Sequence, residues 1–307
     1  MGTRFEVALT SRDREFIKHA HGGLNEVGRL EAILSVFRKE SSLCRMNEIA
    51  DSQWFKPDID LWKILVTSLE LCQKTGGALD ITSGALWELW GFFQKSGRIP
   101  SALEIEKTLE KVGFLNVRIR EETREVKYLK PGLEINLGGT GKGYALDRVV
   151  GMLENKRLEN FLLNAGHSTF YAGGSLVPGE KEWKISIRNP RETGNADFAV
   201  VRLRDQALAT SGTGGQFFDH EGSRFGHIID PRSGKPAEHF FSATAIAENA
   251  LTADALSTAF FVMGVHEVQA FCENNPGVGA LLITRHESGR EPGYHVFGKA
   301  EDSVEIT

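Results

Sequence analysis

The stretch Asn136-Leu137-Gly138-Gly139-Thr140-Gly141-Lys142-Gly143-Tyr144-Ala145 ends one kind of local structure and begins another. Before it, Leu133 to Leu137 reads as a short buried strand. After it, Ala145, Leu146, Val149, Val150 and Leu153 recur at the spacing of one helical face. A strand, a glycine turn and a helix in that order bring backbone N–H groups to a helix N-terminus, where they can meet an anion, and Lys142 adds positive charge. The spacing is not that of a Walker A loop: Asn136 stands where the first glycine is required, and Gly143 stands where a Ser or Thr follows the lysine. The Gly-x-Gly-x-x-Gly dinucleotide fingerprint is also missing. Tight strand-to-helix packing would by itself account for the glycines.

Working outward toward the N-terminus, Val117 to Tyr128 predicts a hairpin around Glu121 to Thr123, and Ser101-Ala102-Leu103-Glu104 is a capping-box start for a helix. Gly76 to Gly84 is too rich in glycine for either element and reads as a loop feeding a short helix with Trp87 and Trp90, near Phe92 and Phe93. Leu61 to Cys72 and Arg12 to Phe37 read as helices, and Met1 to Leu9 alternates as a strand does. Toward the C-terminus, strands are expected at Phe161 to Leu163, Trp183 to Arg188, Ala199 to Leu203, His227 to Ile229, Ala243 to Ala247 and Ala280 to Ile283. The pattern predicts an α+β fold of mixed sheets with flanking helices. No repeat or linker composition marks a boundary, so a single interwoven, two-lobed unit over residues 1–307 is expected.

Among 307 residues, 41% hydrophobic and 25% charged is the balance of a globular enzyme. A net charge of -5 with scattered Lys and Arg argues against nucleic acid as a partner. Cys44, Cys72 and Cys272 are an odd count at wide spacings and predict reduced, buried or half-buried thiols. No run of about 18 apolar residues is present to span a membrane. The N-terminus lacks the basic and apolar regions of a signal peptide. As it stands the chain reads as cytoplasmic, and as periplasmic or membrane-anchored if an export segment has been removed.

Three segments carry candidate chemistry. Ala253-Asp254-Ala255-Leu256-Ser257-Thr258-Ala259 puts a carboxylate and a hydroxyl four residues apart on one helical face, while Ala253, Leu256, Phe260 and Met263 form an apolar stripe. An oxygen-only pair suits a hard ion such as magnesium; a first-turn charge and a surface hydroxyl are the plainer alternative. Asn164-Ala165-Gly166-His167-Ser168-Thr169 is a turn after a strand, in which His167 reads as a turn histidine. Arg224-Phe225-Gly226-His227-Ile228-Ile229-Asp230-Pro231-Arg232-Ser233-Gly234 places an imidazole beside a tight turn that Asp230 would cap. His227 is open to a core role or a ligand-facing one.

In register along nearly the whole chain, these segments resemble the ApbE family of flavin transferases. The matching pieces are Met1-Gly2-Thr3, Leu34-Ser35-x-Phe37 with Ser41 and Asn47, Leu79-Asp80-Ile81-Thr82-Ser83-Gly84, and Trp90-Gly91-Phe92. They continue with Gly138-Gly139-x-Gly141-Lys142-Gly143-Tyr144-Ala145-x-Asp147, Asn164-Ala165-Gly166, Thr210-Ser211-Gly212, His227-Ile228-Ile229-Asp230-Pro231 and Ala253-Asp254-Ala255-Leu256-x-Thr258. The resemblance implies a Mg²⁺-dependent enzyme that splits FAD at its pyrophosphate, transfers FMN to a Thr or Ser hydroxyl of an acceptor flavoprotein, and releases AMP. It implies Asp254, Thr258 and the Gly141 carbonyl as metal ligands. Around FAD it implies Met1, Phe37, Ala78, Leu79, Asp80, Gly138, Tyr144, Ile228 and Ser257, with Phe37 over the flavin ring. His227 is the general-base candidate, and Lys142 would steady a phosphate. Three places depart from the family pattern: His167 and Asn136 where aspartate is usual, and the pair Thr213-Gly214 in place of an Asp-Tyr pair. A Mg²⁺-dependent FAD pyrophosphatase and a non-catalytic FAD-binding protein are the alternative readings.

Overall fold

The computed structural model describes residues 2–176, 182–190, 196–214, 216–284 and 292–307. In chain order its first elements are β1 (Phe5–Leu9), α1 (Ile17–Leu34), α2 (Ser42–Ile49), α3 (Ile59–Lys74), α4 (Gly84–Leu89) and α5 (Ala102–Leu109). Then come β2 (Val117–Arg120), β3 (Glu125–Tyr128), α6 (Gly141–Glu154), β4 (Phe161–Ala165), β5 (Thr169–Gly173), β6 (Trp183–Arg188), β7 (Asp197–Leu203) and β8 (Gln206–Gly212). The last are β9 (Phe217–His220), β10 (Ser223–Gly226), β11 (Ile229–Asp230), β12 (Lys235–Pro236), β13 (Phe240–Ala247), α7 (Ala250–Val262), α8 (Val265–Asn274), β14 (Gly279–Thr284), β15 (Gly293–Gly298) and β16 (Val304–Ile306). The fold is α+β. Its residues group into two compact units, one of 29–141 and 213–238, the other of 2–28, 142–212 and 239–307.

The second unit is built on an antiparallel seven-stranded sheet in the order β1-β4-β5-β8-β13-β14-β15, together with the three-stranded sheet β16-β7-β6. Strand alternation sorts the side chains by face. Ala172, Leu208, Ile246, Leu281 and Ile283 pack with Trp183, Ile185, Ile187 and Val201 of the smaller sheet. The opposite face carries Thr169 on β5, Ala207, Ala209 and Ser211 on β8, and Ala243, Ala245 and Ala247 on β13. These small residues let α7 lie close on β8 and β13. Helix α7 is buried almost all round, including Leu251, Leu256, Phe260 and Phe261. A helix so enclosed can carry a polar side chain only where a partner waits for it.

The first unit is mainly helical, with the hairpin β2–β3 and the small pairs β9–β10 and β11–β12. Leu86, Trp90, Phe92, Ile105 and Ile229 form a core joined by Trp87, Phe218 and Phe225. Helix α5 starts with the predicted capping box, Ser101 Oγ accepting from the Glu104 N–H while Glu104 Oε2 accepts from the Ser101 N–H at 2.8 Å. The Asp230-to-Gly234 turn forms as expected: Asp230 Oδ1 accepts from the Arg232 N–H at 2.9 Å, and Gly234 takes φ +71°. A Cβ at Gly234 would lie 2.6 Å from Ile105 Cγ2, so the position needs glycine for both torsion and space.

Two expectations are corrected. Leu133 to Leu137 forms no strand, only an isolated bridge between Glu134 and Ser83, although Leu133, Ile135 and Leu137 are buried. The backbone finds other partners: Asn47 Oδ1 accepts from the Ile135 N–H at 3.0 Å, Asn47 Nδ2 donates to the Ile135 carbonyl at 2.9 Å, and the Asn136 N–H donates to the Ile81 carbonyl. His227 likewise lies between β10 and β11 rather than in a strand. Asn47 also accepts from the buried Tyr128 hydroxyl at 2.8 Å. Asn47→Ala therefore leaves three polar groups without that partner, and a loss of about 3 kcal/mol is expected in denaturant unfolding. A change under about 1 kcal/mol would contradict this account.

Candidate active site

Helix α7 is anchored at its start from two directions. The Asn249 side chain accepts from the Thr252 N–H at 2.9 Å, and Asp147 of α6 accepts from the Ala250 and Leu251 N–H groups at 2.7 and 2.9 Å. Three N–H groups that a helix start leaves without intrahelical partners are thus paired. Burial pushes the Asp147 carboxyl up to about 6 against the pull of its two N–H donors, and the charge of Asp254 pushes the same way as burial.

One turn further along, Asp254 is buried, with 3% of its surface exposed. Three donors converge on its carboxylate. The Lys142 ammonium lies 2.7 Å from Oδ1, the Thr169 hydroxyl donates to Oδ1 at 3.0 Å, and the Gly143 N–H donates to Oδ2 at 3.1 Å. The last bond is possible because α6 and α7 nearly touch at Gly143, where a Cβ would stand 2.1 Å from the Ala250 carbonyl oxygen. Thr258 follows on the same face, half-buried, with its Oγ1 3.4 Å from the Asp254 carbonyl. Ser211 of β8 places its hydroxyl 2.9 Å from Ser257 Oγ and 3.3 Å from Thr258 Oγ1, and Ser257 donates to the Asp254 carbonyl at 2.9 Å. Sheet hydroxyls from β5 and β8 thus orient the oxygen pair on α7, the kind of support that metal-ligand side chains rely on.

The donor set fits a hard divalent ion. It offers a carboxylate and a hydroxyl one turn apart, although the Lys142 ammonium engages one carboxylate oxygen, which an ion would have to compete for. Among the described residues there is no cluster of three or more His, Cys, Asp or Glu, so a nitrogen- or thiolate-rich site of the zinc kind is not formed there. Gly141 is the first residue of α6, directly before Lys142, and an added Cβ there would meet nothing within 4 Å.

The first unit joins two other sequence candidates through aromatic rings. Phe37, 67% exposed, stands edge-on to Phe93 at 5.9 Å between centroids; Phe93 lies 5.6 Å from Trp87, and Trp87 is edge-on to His227 at 5.8 Å. His227 Nδ1 is 2.9 Å from the Gln216 carbonyl oxygen. A carbonyl only accepts, so this hydrogen bond needs the proton on Nδ1 and puts the lone pair of the neutral ring on Nε2. Asp80 is buried and engaged: Oδ1 accepts from the Thr82 N–H and hydroxyl at 2.8 and 2.7 Å, and Oδ2 from the Phe114 N–H at 2.9 Å. Burial raises its pKa against those bonds. Its carboxylate therefore holds the loop that carries the buried Ala78 and Leu79. Ile228 is also buried, whereas Gly138 is exposed, its N–H donating to Asn136 Oδ1 at 2.9 Å. In the second unit, Tyr144 is buried on α6. Met1 lies outside the described residues.

The ApbE family model matches residues 1–282. The chain belongs to the ApbE family. The FAD:protein FMN transferase of Escherichia coli (strain K12) is 33% identical over 266 residues, which cover 83% of this chain and 73% of that protein. The FAD:protein FMN transferase of Treponema pallidum (strain Nichols) is 32% identical over 279 residues, or 86% of this chain and 77% of that protein. Among solved structures, the ApbE protein of Thermotoga maritima matches with a TM-score of 0.84 at 30% identity over 98% of each chain. The flavin transferase ApbE of Vibrio cholerae, at 24% identity and a TM-score of 0.82 over 99% of this chain and 96% of that one, shares the fold.

Two of the departures from the ApbE pattern have visible local roles. Asn136 accepts from Gly138 as an aspartate would. His167 is exposed in the turn between β4 and β5 at φ +53°, its N–H donating to Asn164 Oδ1 at 2.9 Å and its Nδ1 3.1 Å from Asn164 Nδ2. The sequence pattern alone does not single out Thr169 and Ser211. Ser211 sits in the Thr210-Ser211-Gly212 piece and Thr169 ends the Asn164-to-Thr169 segment, but neither lies on a strand that the hydrophobic pattern reveals.

Proposed function

We propose that this protein is an FAD:protein FMN transferase: with Mg²⁺ bound, it moves FMN from FAD to a Thr or Ser hydroxyl of an acceptor flavoprotein and releases AMP. The observation that carries this reading is the buried Asp254 carboxylate on α7, one turn from Thr258 and against Lys142. Asp254 and Thr258 would hold the ion, with the Gly141 carbonyl as the third protein ligand that the family resemblance supplies. Bound there, Mg²⁺ would neutralise charge on the pyrophosphate oxygens.

In the transfer, the acceptor hydroxyl oxygen forms a bond to the FMN phosphorus, and the bond from that phosphorus to the bridging oxygen breaks, so that AMP leaves with the bridging oxygen. His227 takes the hydroxyl proton at Nε2, the position that the Gln216 carbonyl bond selects for the lone pair. Phe37, exposed and braced by Phe93, offers a face for the flavin ring. Ala78, Leu79, Asp80, Gly138, Tyr144, Ile228 and Ser257 complete the proposed FAD surroundings, and residues 1–307 act as one ApbE-type domain.

The test is mass spectrometry of a threonine-bearing flavoprotein incubated with the protein, FAD and Mg²⁺. An FMN adduct with one AMP released per adduct is expected. Rapid formation of FMN and AMP without an acceptor would make the protein a pyrophosphatase instead, and FAD retention without any turnover would make it a binding protein. His227→Gln is expected to lower the adduct rate by about 10²- to 10⁴-fold while FAD still binds. A rate near that of the unaltered protein would remove His227 from the base role.

A further inference from the structure

The three donors on Asp254 are not alike. Thr169 is fully buried on β5, and the Gly143 N–H belongs to the backbone of α6. Both are fixed and uncharged, and together they orient the carboxylate without help from the lysine. Lys142 sits in the first turn of α6 on a flexible stem, and its side chain is 23% exposed against 4% for that of Asp254. A buried carboxylate needs a counter-charge, and this ammonium at 2.7 Å supplies one.

We propose that Lys142 is the stand-in cation of Asp254 in the metal-free protein, that Mg²⁺ displaces it, and that the released ammonium then takes an anionic oxygen of the FAD pyrophosphate. This rests on the metal role of Asp254 proposed above. Before the exchange, the charge of Lys142 is spent on Asp254, and a pyrophosphate meets a neutral pair. After it, the ion offsets the carboxylate with charge to spare and Lys142 adds its own, leaving a net positive site for an anionic diester. The binding order follows: metal first, then dinucleotide, with positive coupling between them.

Isothermal titration of Mg²⁺ into FAD-free protein, followed by flavin-fluorescence titration of FAD with and without Mg²⁺, tests the exchange. Lys142→Met is expected to bind Mg²⁺ about tenfold more tightly, and the gain in FAD affinity on adding Mg²⁺ is expected to shrink by about tenfold in that variant. In the unaltered protein, reductive methylation of Lys142, read by mass spectrometry, is expected to speed up several-fold when Mg²⁺ is added, a response that loss of charge alone does not produce. Lys142→Arg, which keeps the charge, guards against a folding defect: it is expected to keep weak Mg²⁺ binding and a normal circular dichroism spectrum. Equal or weaker Mg²⁺ binding by Lys142→Met, an undiminished metal effect on FAD, or a methylation rate indifferent to Mg²⁺ would each overturn the exchange while leaving the metal site standing. Absence of Mg²⁺ binding in both proteins would overturn the metal site, and the exchange with it.

Discussion

Asp254→Asn is expected to abolish Mg²⁺-dependent flavin transfer while leaving a folded protein. The amide keeps the size of the carboxylate and one acceptor oxygen, so either the Gly143 N–H or the Thr169 hydroxyl retains its bond. What disappears is the charge that would draw the proposed divalent ion to α7. A metal that neutralises a pyrophosphate lowers the barrier by several kcal/mol, and each 1.4 kcal/mol is tenfold in rate, so a fall of about 10³-fold or more in adduct formation is expected without it. The Lys142 ammonium would at the same time face an amide that no longer matches its charge, so a modest loss of thermal stability accompanies the loss of activity. Mg²⁺-dependent transfer at an undiminished rate would remove Asp254 from the metal site. A collapse of helical circular dichroism would show instead that the carboxylate is needed to build α7, and Asp254→Glu would then be the variant in which to look for altered metal affinity.

The helical half of this fold is legible in the sequence because its apolar residues recur at helical spacing: α1, α3 and α6 lie where Arg12 to Phe37, Leu61 to Cys72 and Gly141 onward place them. The strands that carry the site are harder to see. Residues Gln206 to Gly212 on β8 and Thr169 to Gly173 on β5 are small or mixed, because the face toward α7 must stay shallow to let the helix in. The requirement that makes room for α7 also erases the hydrophobic alternation that would reveal those strands. Leu133 to Leu137 misleads for the opposite reason. Its side chains are buried as in a strand, while Asn47 satisfies Ile135 from far along the chain. Asp254 and Thr258 are visible because a single helix sets their spacing. The contact of Lys142 with Asp254 joins residues 112 apart, and local periodicity carries no information about it.

The glycine turn that opens α6 makes a sharp contrast between two of its positions. At Gly143 a Cβ would stand 2.1 Å from the Ala250 carbonyl oxygen, 2.5 Å from its carbon and 2.6 Å from Leu251 Cα. All three are backbone atoms at the start of α7, so no side-chain rotation relieves the clash, and Gly143→Ala must push α6 and α7 apart. That separation strains the Gly143 N–H bond to Asp254 and the two bonds from Asp147 to the start of α7. Overpacking of about 1–3 kcal/mol and the weakening of charge-assisted bonds worth about 1.5–3 kcal/mol each sum to roughly 5 kcal/mol or more. That is the scale of the whole stability margin of many proteins. Gly143→Ala is therefore expected to be largely insoluble, or to melt about 10 °C or more below the unaltered protein in a thermal scan. Gly141→Ala, two residues earlier in the same turn, meets nothing within 4 Å and starts a helix, so it is expected to be neutral or to gain up to about 1 kcal/mol while keeping its backbone carbonyl. If the two variants melt together, close approach of α6 and α7 is not what the glycines secure; if Gly141→Ala alone fails, the constraint lies in the turn itself and not in the helix contact that presents Asp254.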